Sequence, residues 1–341
     1  MANRTDTLRC ARRWLLRAAL AMWAVTPAIA TTASCPDRLT GINLVPLPTG
    51  WYNGAVEMKF PTEVQIIYYK NVGMNAIRLP IHWEEMQPAL FADLNPRYVA
   101  HARAFLDLAE RNGMPVLIDL HNYARYRDRL IGSPEVPADA FKDIWARLAG
   151  AFANHAAVAA WGLMNEPHHT NGLWHRVAQA GVDGIRSIDS ARPIYVGGDG
   201  WSNTQNWPSA NPEPFVTDPV ERIVYEGHIY FDDDFSGRYK TPIAAVASAA
   251  DLAARAEQRV QPFLAWLTKY QQRGAIGETG VPMDDPRWLA ALEKFLDLTD
   301  AACVDWFIWA GGAWRPTYEL SHEPIDGKDR PQIEVLRRRL N

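Results

Sequence analysis

The sequence predicts a single (β/α)8 barrel of the TIM type, an α/β fold, on three observations. Short apolar runs alternate with amphipathic stretches about eight times between Leu39 and Arg339. The runs are continuously apolar, as strands of a parallel sheet buried on both faces are. Polar side chains collect at the C-terminal ends of these runs, and in a closed parallel barrel all such ends meet on one face. An open doubly wound sheet is the alternative, but neither G-x-G-x-x-G nor a Walker loop follows the first strand.

The elements follow in order. Leu39–Leu44 reads as the first strand and Pro61–Val72 as the first helix, with Val64, Ile67 and Tyr68 at helical spacing. Ala76–Ile81 is the second strand; Pro96 opens the next helix at N1 and Asn112-Gly113 ends it. Strands at Pro115–Leu120, Val158–Met164 and Ile194–Val196 alternate with helices at Ala140–Phe152 and Leu173–Ile188. From Trp201 to Glu221 the rhythm breaks into an Asn- and Pro-rich stretch that predicts a long loop. Strands at Ile223–Tyr230, Ala275–Gly277 and Val304–Trp309 then alternate with helices at Leu252–Arg273, Trp288–Leu298 and Gln332–Arg339.

Residues 1–30 stand apart from the fold. Arg9, Arg12, Arg13 and Arg17 precede an apolar run from Ala18 to Ile29 and an A-x-A site at Ala28-Ile29-Ala30, the pattern of a signal peptide too short to anchor a chain in a bilayer. Arg12-Arg13 also fits a twin-arginine leader. The expectation is an exported catalytic domain, residues 31–341, located in the periplasm or outside the cell, monomeric and without a membrane anchor. Removing the leader's five arginines and one aspartate moves the formal net charge from −4 to −8, which excludes nucleic acid or an anionic membrane as partner. A composition of 48% hydrophobic and 22% charged residues excludes disorder.

The strand ends carry Arg78, His121, Asn165 with Glu166, Asp199, His228 with Tyr230, Glu278 and Trp309. Two glutamates on different strands suit retaining glycoside cleavage, which needs one protonated and one ionised carboxyl about 5–5.5 Å apart. Glu166 would be the acid/base and Glu278 the nucleophile, with Arg78 keeping Glu278 charged. Asn165 would bond the sugar 2-hydroxyl. His121, His228 and Tyr230 would hold sugar hydroxyls or the carboxylates, and Trp309 would floor the ring with its N–H free.

The motifs Arg78-Leu79-Pro80, Asp119-Leu120-His121-Asn122, Asn165-Glu166-Pro167, His228-Ile229-Tyr230, Gly277-Glu278-Thr279-Gly280 and Trp309 resemble the ordered signature of family 5 of the glycoside hydrolases (cellulase family A) over residues 39–335. The resemblance implies a retaining enzyme on a (β/α)8 barrel, with the acid/base on Glu166 and the nucleophile on Glu278. Arg78, His121, Asn165, His228, Tyr230 and Trp309 match the remaining site positions. His121–Tyr126 and Ser321-His322-Glu323-Pro324 most resemble endo-β-1,4-glucanases, so a β-linked polysaccharide is the expected substrate. Endo-β-mannanase, exo-β-1,3-glucanase and transglycosylase readings share the same site, and a glycan-binding barrel without turnover is the reading from another class. His169 departs from an aspartate expected there, and Arg315 from a second tryptophan; both bear on subsites.

Among the fourteen tryptophans, Trp201, Trp207 and Trp314 lie on loops of the C-terminal face and are candidate sugar platforms. No cofactor or metal is expected: the cysteines lack CxxC spacing, the histidines make no H-E-x-x-H, and Asp232-Asp233-Asp234 lacks an EF-hand's glycine and reads as a solvated loop. Cys35 precedes strand one and Cys303 strand eight, neighbours in a closed barrel, so export predicts a disulfide between them.

Overall fold

The computed structural model describes residues 35–52, 55–243, 248–312 and 318–340. The stretch expected to be a leader, residues 1–30, and Trp314 and Arg315 lie outside the described residues. Strands β1 (Thr40–Val45), β2 (Leu47–Tyr52) and β3 (Ala55–Lys59) lead to helix α1 (Glu63–Val72), strand β4 (Ala76–Ile81), α2 (Trp83–Met86) and α3 (Pro96–Arg111). The middle of the chain forms β5 (Val116–Leu120), β6 (Arg125–Tyr126), β7 (Arg129–Leu130), α4 (Ala138–Phe152), β8 (Val158–Gly162), α5 (Leu173–Arg186), β9 (Ile194–Gly197) and α6 (Trp207–Ala210). It ends with β10 (Ile223–Ile229), α7 (Ala249–Tyr270), β11 (Arg273–Thr279), α8 (Trp288–Ala301), β12 (Asp305–Gly312) and α9 (Pro331–Leu340).

The barrel closes in the order β1-β12-β11-β10-β9-β8-β5-β4, so the predicted eightfold parallel barrel is the observed architecture. β1 meets β12 at Thr40↔Trp306 and β4 at Gly41↔Ala76, both in parallel. One buried interior cluster takes Ala76, Leu117, Ala160, Tyr195, Val224, Ala275 and Phe307, each from a different barrel strand. β1 supplies Gly41 there, where a Cβ would lie 2.4 Å from the Ala76 carbonyl oxygen and 2.7 Å from Phe307 Cδ1. The larger apolar cluster packs the outer faces of the strands against the helices.

Local chemistry sets the helix limits. Asn95 accepts from the N–H groups of Arg97 and Tyr98 ahead of Pro96 at N1 of α3. Ser248 and Asp251 form a capping box on α7. The buried face of α1 is Ile66, Tyr69 and Val72, whereas Val64 is 75% and Ile67 40% exposed. Of the apolar residues at helical spacing, Val64 and Ile67 thus face outward and Tyr68 packs partly against the core; with apolar residues all round this short helix, periodicity alone does not choose a side. The short hairpins β2–β3 and β6–β7 and the one-turn helices α2 and α6 have no sequence counterpart in the predicted elements.

Cys35 and Cys303 are disulfide-bonded, with Cα atoms 5.6 Å apart across 268 residues. The pairing follows from the β1–β12 register, which brings the two preceding loops together beside the ion pair of Arg38 with Asp300.

Candidate active site

Register brings the strand-end residues together. β10 and β11 pair with His228 opposite Glu278 after a bulge at Gly227/His228, and β4 pairs with β1 at Asn43↔Arg78. Beyond β8, Leu163 and Asn165 keep the ladder through N–H bonds to the carbonyls of Tyr195 and Leu120, which carries Asn165 and Glu166 to the same face. Glu166 itself has φ +42°, a left-handed backbone that costs a non-glycine residue about 1 kcal/mol or more.

Arg78 is fully buried at the centre. Its Nη1 donates to Asn43 Oδ1 (2.9 Å) and Glu278 Oε1 (3.3 Å); its Nη2 donates to Asn165 Oδ1 (2.9 Å) and Glu226 Oε1 (2.9 Å) and lies 3.0 Å from Asp119 Oδ1. Burial works against its charge, but the Asp119, Glu226 and Glu278 carboxylates outweigh that and raise its pKa above the ordinary value.

The tautomer of His121 follows from its neighbours. Its Nδ1–H donates to Asp119 Oδ2 (2.8 Å), which leaves Nε2 to accept from the Asn165 amide (3.2 Å). Burial, then the Arg78 charge, holds this imidazole neutral, well below its ordinary pKa. One Asn165 N–H thus remains to meet a ligand.

His228 is flanked by carboxylates: Nδ1 meets Glu166 Oε1 at 2.8 Å and Nε2 meets Glu226 Oε1 at 3.2 Å. Burial opposes its charge, but the Glu278 charge and the bonds to Glu166 and Glu226 raise its pKa to about 10, so it is an imidazolium donating from both nitrogens. Tyr230 donates its hydroxyl to Glu278 Oε2 at 2.9 Å. Burial pushes Glu278 up to about 7, opposed by His228, Arg78 and Tyr230 and reinforced by the charge of Glu166. That last contribution lasts only while Glu166 is ionised.

One oxygen of Glu166, one nitrogen of His228 and one oxygen of Glu278 all lie within 4.8 Å of one another. Among the described residues these donor atoms are close enough to hold a cation, yet the Glu166 oxygen and the His228 nitrogen already bond each other and Glu278 accepts from Tyr230. Asp107, Glu110 and His155 form a second such set on the outer surface, where His155 bonds Asp107 at 3.0 Å.

The pair opens into a cleft of about 660 Å³ bounded by Trp201, Trp309, Tyr123, Phe235 and Tyr318. Trp309 stacks on His121 with ring centres 5.6 Å apart.

The description "Cellulase (glycosyl hydrolase family 5)" fits residues 31–313. The chain belongs to glycosyl hydrolase family 5. A probable endo-β-1,4-glucanase B of Neosartorya fischeri is 29% identical over 278 residues, 80% of each chain. The solved structure of Pseudomonas stutzeri endoglucanase Cel5A with cellobiose superposes at a TM-score of 0.83 with 39% identity, over 89% of this chain and 92% of that one. An endo-β-1,4-glucanase of Xanthomonas axonopodis pv. citri gives 0.78 and 31%, over 89% and 98%.

Within this family 5 fold, Glu166, Glu278, Arg78, His121, Asn165, His228, Tyr230 and Trp309 lie in one connected site. Three expectations need correction. Trp207 is not a sugar platform: it is fully buried, edge-on to Phe263 and Trp266, because α6 packs its ring against the C-terminal half of α7. The Trp309 N–H is not free, since it donates to the Tyr318 hydroxyl at 3.0 Å. Asp232 is not solvated: it is buried and accepts from the N–H groups of Gly237, Arg238 and Tyr239, folding the loop that forms one cleft wall. Trp201 does face the cleft, 44% exposed, with one face covered by His168 at 3.4 Å and 5°. Sequence reasoning missed Asn43, Glu226 and Tyr318 and gave Asp119 no role.

Proposed function

We propose that residues 31–341 form an exported, monomeric endo-β-1,4-glucanase with no membrane anchor, which cleaves β-glucan with retention, Glu166 serving as acid/base and Glu278 as nucleophile. The carrying observation is that one oxygen of each carboxylate lies within 4.8 Å of the other, which favours the close spacing of a retaining site over the roughly 6.5–9.5 Å that an inverting site leaves for water. The roles follow from the donors. Glu278 receives hydrogen bonds from Arg78 and Tyr230, which oppose the effect of burial on its charge, while Glu166 is the more solvent-accessible of the two.

In the first step Glu278 attacks the anomeric carbon as the glycosidic oxygen departs, taking the Glu166 proton. In the second, Glu166 removes a proton from water, whose oxygen attacks that carbon and releases Glu278. Asn165 bonds the 2-hydroxyl with its remaining N–H, and Trp309 floors the reacting ring. The β-1,4-glucan preference is supported by the endoglucanase relatives and by cellobiose in the Pseudomonas stutzeri complex. The leader pattern of residues 1–30 supports export, and among the described residues no helix is long and apolar enough to cross a membrane.

The test is product analysis on soluble cellulose derivatives, mixed-linkage glucan, mannan and xyloglucan, with Glu166→Gln and Glu278→Gln beside the wild type. Cleavage of internal β-1,4-glucosyl bonds, lost by at least a thousandfold in either variant, is expected. Azide should rescue the Glu166 variant on an activated substrate as a retained-configuration glycosyl azide. Near-wild-type turnover in either variant removes the mechanism, and a mannan preference removes the substrate.

A further inference from the structure

We propose that Glu226 is a positioning residue that joins the two catalytic carboxylates through alternating charges and so sets the pH window of hydrolysis. The inference rests on the assignment of Glu166 and Glu278 as the catalytic pair.

The chain of contacts is continuous. Glu278 Oε1 meets Arg78 Nη1 at 3.3 Å, Arg78 Nη2 meets Glu226 Oε1 at 2.9 Å, the same oxygen meets His228 Nε2 at 3.2 Å, and His228 Nδ1 meets Glu166 Oε1 at 2.8 Å. The two cations, Arg78 and His228, thus alternate with three carboxyl groups. Glu226 is 2% exposed and lies behind the cleft, not along its lining, so it reaches substrate only through other side chains.

A second feature shows that this location is built. Gly277 precedes the nucleophile on β11, and a Cβ there would fall 2.4 Å from Glu226 Cδ and 2.5 Å from Oε1. The strand that presents Glu278 leaves out a side chain where the Glu226 carboxylate sits.

An anion is needed because two buried cations converge on one oxygen. Arg78 from β4 and His228 from β10 face it directly. Asp119 on β5 and Tyr195 on β9 also interact with it through their charges, and Glu278 on β11 shares Arg78 with it. Tyr195 donates its hydroxyl hydrogen bond to Asp305 of β12 and is no donor to Glu226. Burial alone would neutralise Glu226, but Arg78 and His228 pull it down to about 2, so it is charged throughout the working range.

Glu226→Gln keeps the shape and removes the charge. The positive field of Arg78 and His228 then falls undiluted on Glu166 and Glu278, both of which release protons more readily. Both limbs of the kcat/KM profile should move to lower pH by about one unit, with kcat at pH 7.5 reduced about tenfold or more and KM changed less than about threefold. Activity should recover substantially at the new optimum, and Glu226→Asp, which keeps the charge, should hold the optimum near that of the wild type. A side chain that only packs would lower activity by one factor at every pH.

Nitrogen NMR of His228 in the wild type supplies a readout that needs neither a variant nor turnover: both ring nitrogens should stay protonated from pH 5 to about 9. A Glu226→Gln profile that superposes on the wild type after scaling, a shift to higher pH, or a neutral His228 below pH 8 overturns the proposal. Absence of β-glucan hydrolysis by the wild type would instead overturn the functional assignment, while the state of His228 would still be readable.

Discussion

Replacing Glu278 by Gln should make the protein more stable and do so in a pH-dependent way. Glu278 is buried at the floor of the cleft, and burial first of all raises its pKa from 4.5 to about 7 in the folded chain. Between pH 4.5 and about 7 the folded state therefore holds a proton that the unfolded state has released. Stability linked to this group is fully present below 4.5 and is lost as pH rises through 7. At 1.36 kcal/mol per pH unit the ceiling at pH 8 is about 3 kcal/mol. A glutamine can turn its oxygen to Arg78 Nη1 and its amide N–H to the Tyr230 hydroxyl oxygen, so both contacts survive in neutral form. Loss of the charged partner for Arg78 takes back part of the gain. Half to all of the ceiling, at roughly 2 °C per kcal/mol for a chain of this size, gives a Tm rise of about 3–6 °C at pH 8. Scanning calorimetry of variant and wild type at pH 4.5, 6 and 8 is the assay. The difference should vanish at pH 4.5 and grow with pH, in a variant without glycosidase activity. A difference constant across pH, or a variant less stable at pH 8, would refute the account of Glu278 as a buried charge held at a cost.

Three other outcomes are expected. Trp201→Ala should raise KM for long glucans with Tm unchanged, whereas Trp207→Ala should cost about 3–5 kcal/mol in denaturant unfolding with little change in KM, since one ring faces the cleft and the other the core. Tyr230→Phe removes a hydrogen bond to a buried carboxylate, so kcat should fall about 10- to 100-fold and the acid limb of the pH profile should move up, read from initial rates between pH 4 and 8. The Cys35–Cys303 bond closes a 268-residue loop, so Cys303→Ser should cost roughly 4 kcal/mol in the unfolding free energy, and alkylation of the unreduced mature wild type should find no reactive thiol.

The barrel was legible because its strands are buried on both faces. Ala76–Ile81 is predicted and observed with the same limits, and all six residues are buried. Helices with chemical punctuation were equally legible, as α3 shows with Pro96 and Asn112. What could not be read depends on partners distant in sequence. The inner face of α1 is chosen by α3 and α9, and the burial of Trp207 by α7, neither of which leaves a mark in the local spacing. A tryptophan in a polar loop looks the same whether its ring turns outward, as at Trp201, or inward.

The site divides along a different line. Most of the eight candidates with assigned roles sit at or near the ends of strands, where an apolar run ends, whereas Arg78, third of six in β4, joins the same connected network from inside its strand. Glu226 and Asp119 sit inside the runs, where an acid looks like a flaw in a buried strand. The sequence nevertheless holds a signal for both. Side chains two apart on a strand point to the same face. Asp119-Leu120-His121 and Glu226-Gly227-His228 therefore each place a carboxylate directly behind a histidine, at 2.8 Å and 3.2 Å. The two acids act in opposite senses. Asp119 holds the Nδ1–H of a neutral imidazole whose free nitrogen orients Asn165, whereas Glu226 faces an imidazolium and makes it a double donor. The difference lies in what the far nitrogen meets: an amide for His121, the carboxylate of Glu166 for His228. An acid-x-His pair at the end of a barrel strand thus marks a histidine whose protonation is set from behind, and the group in front of it decides which state is set.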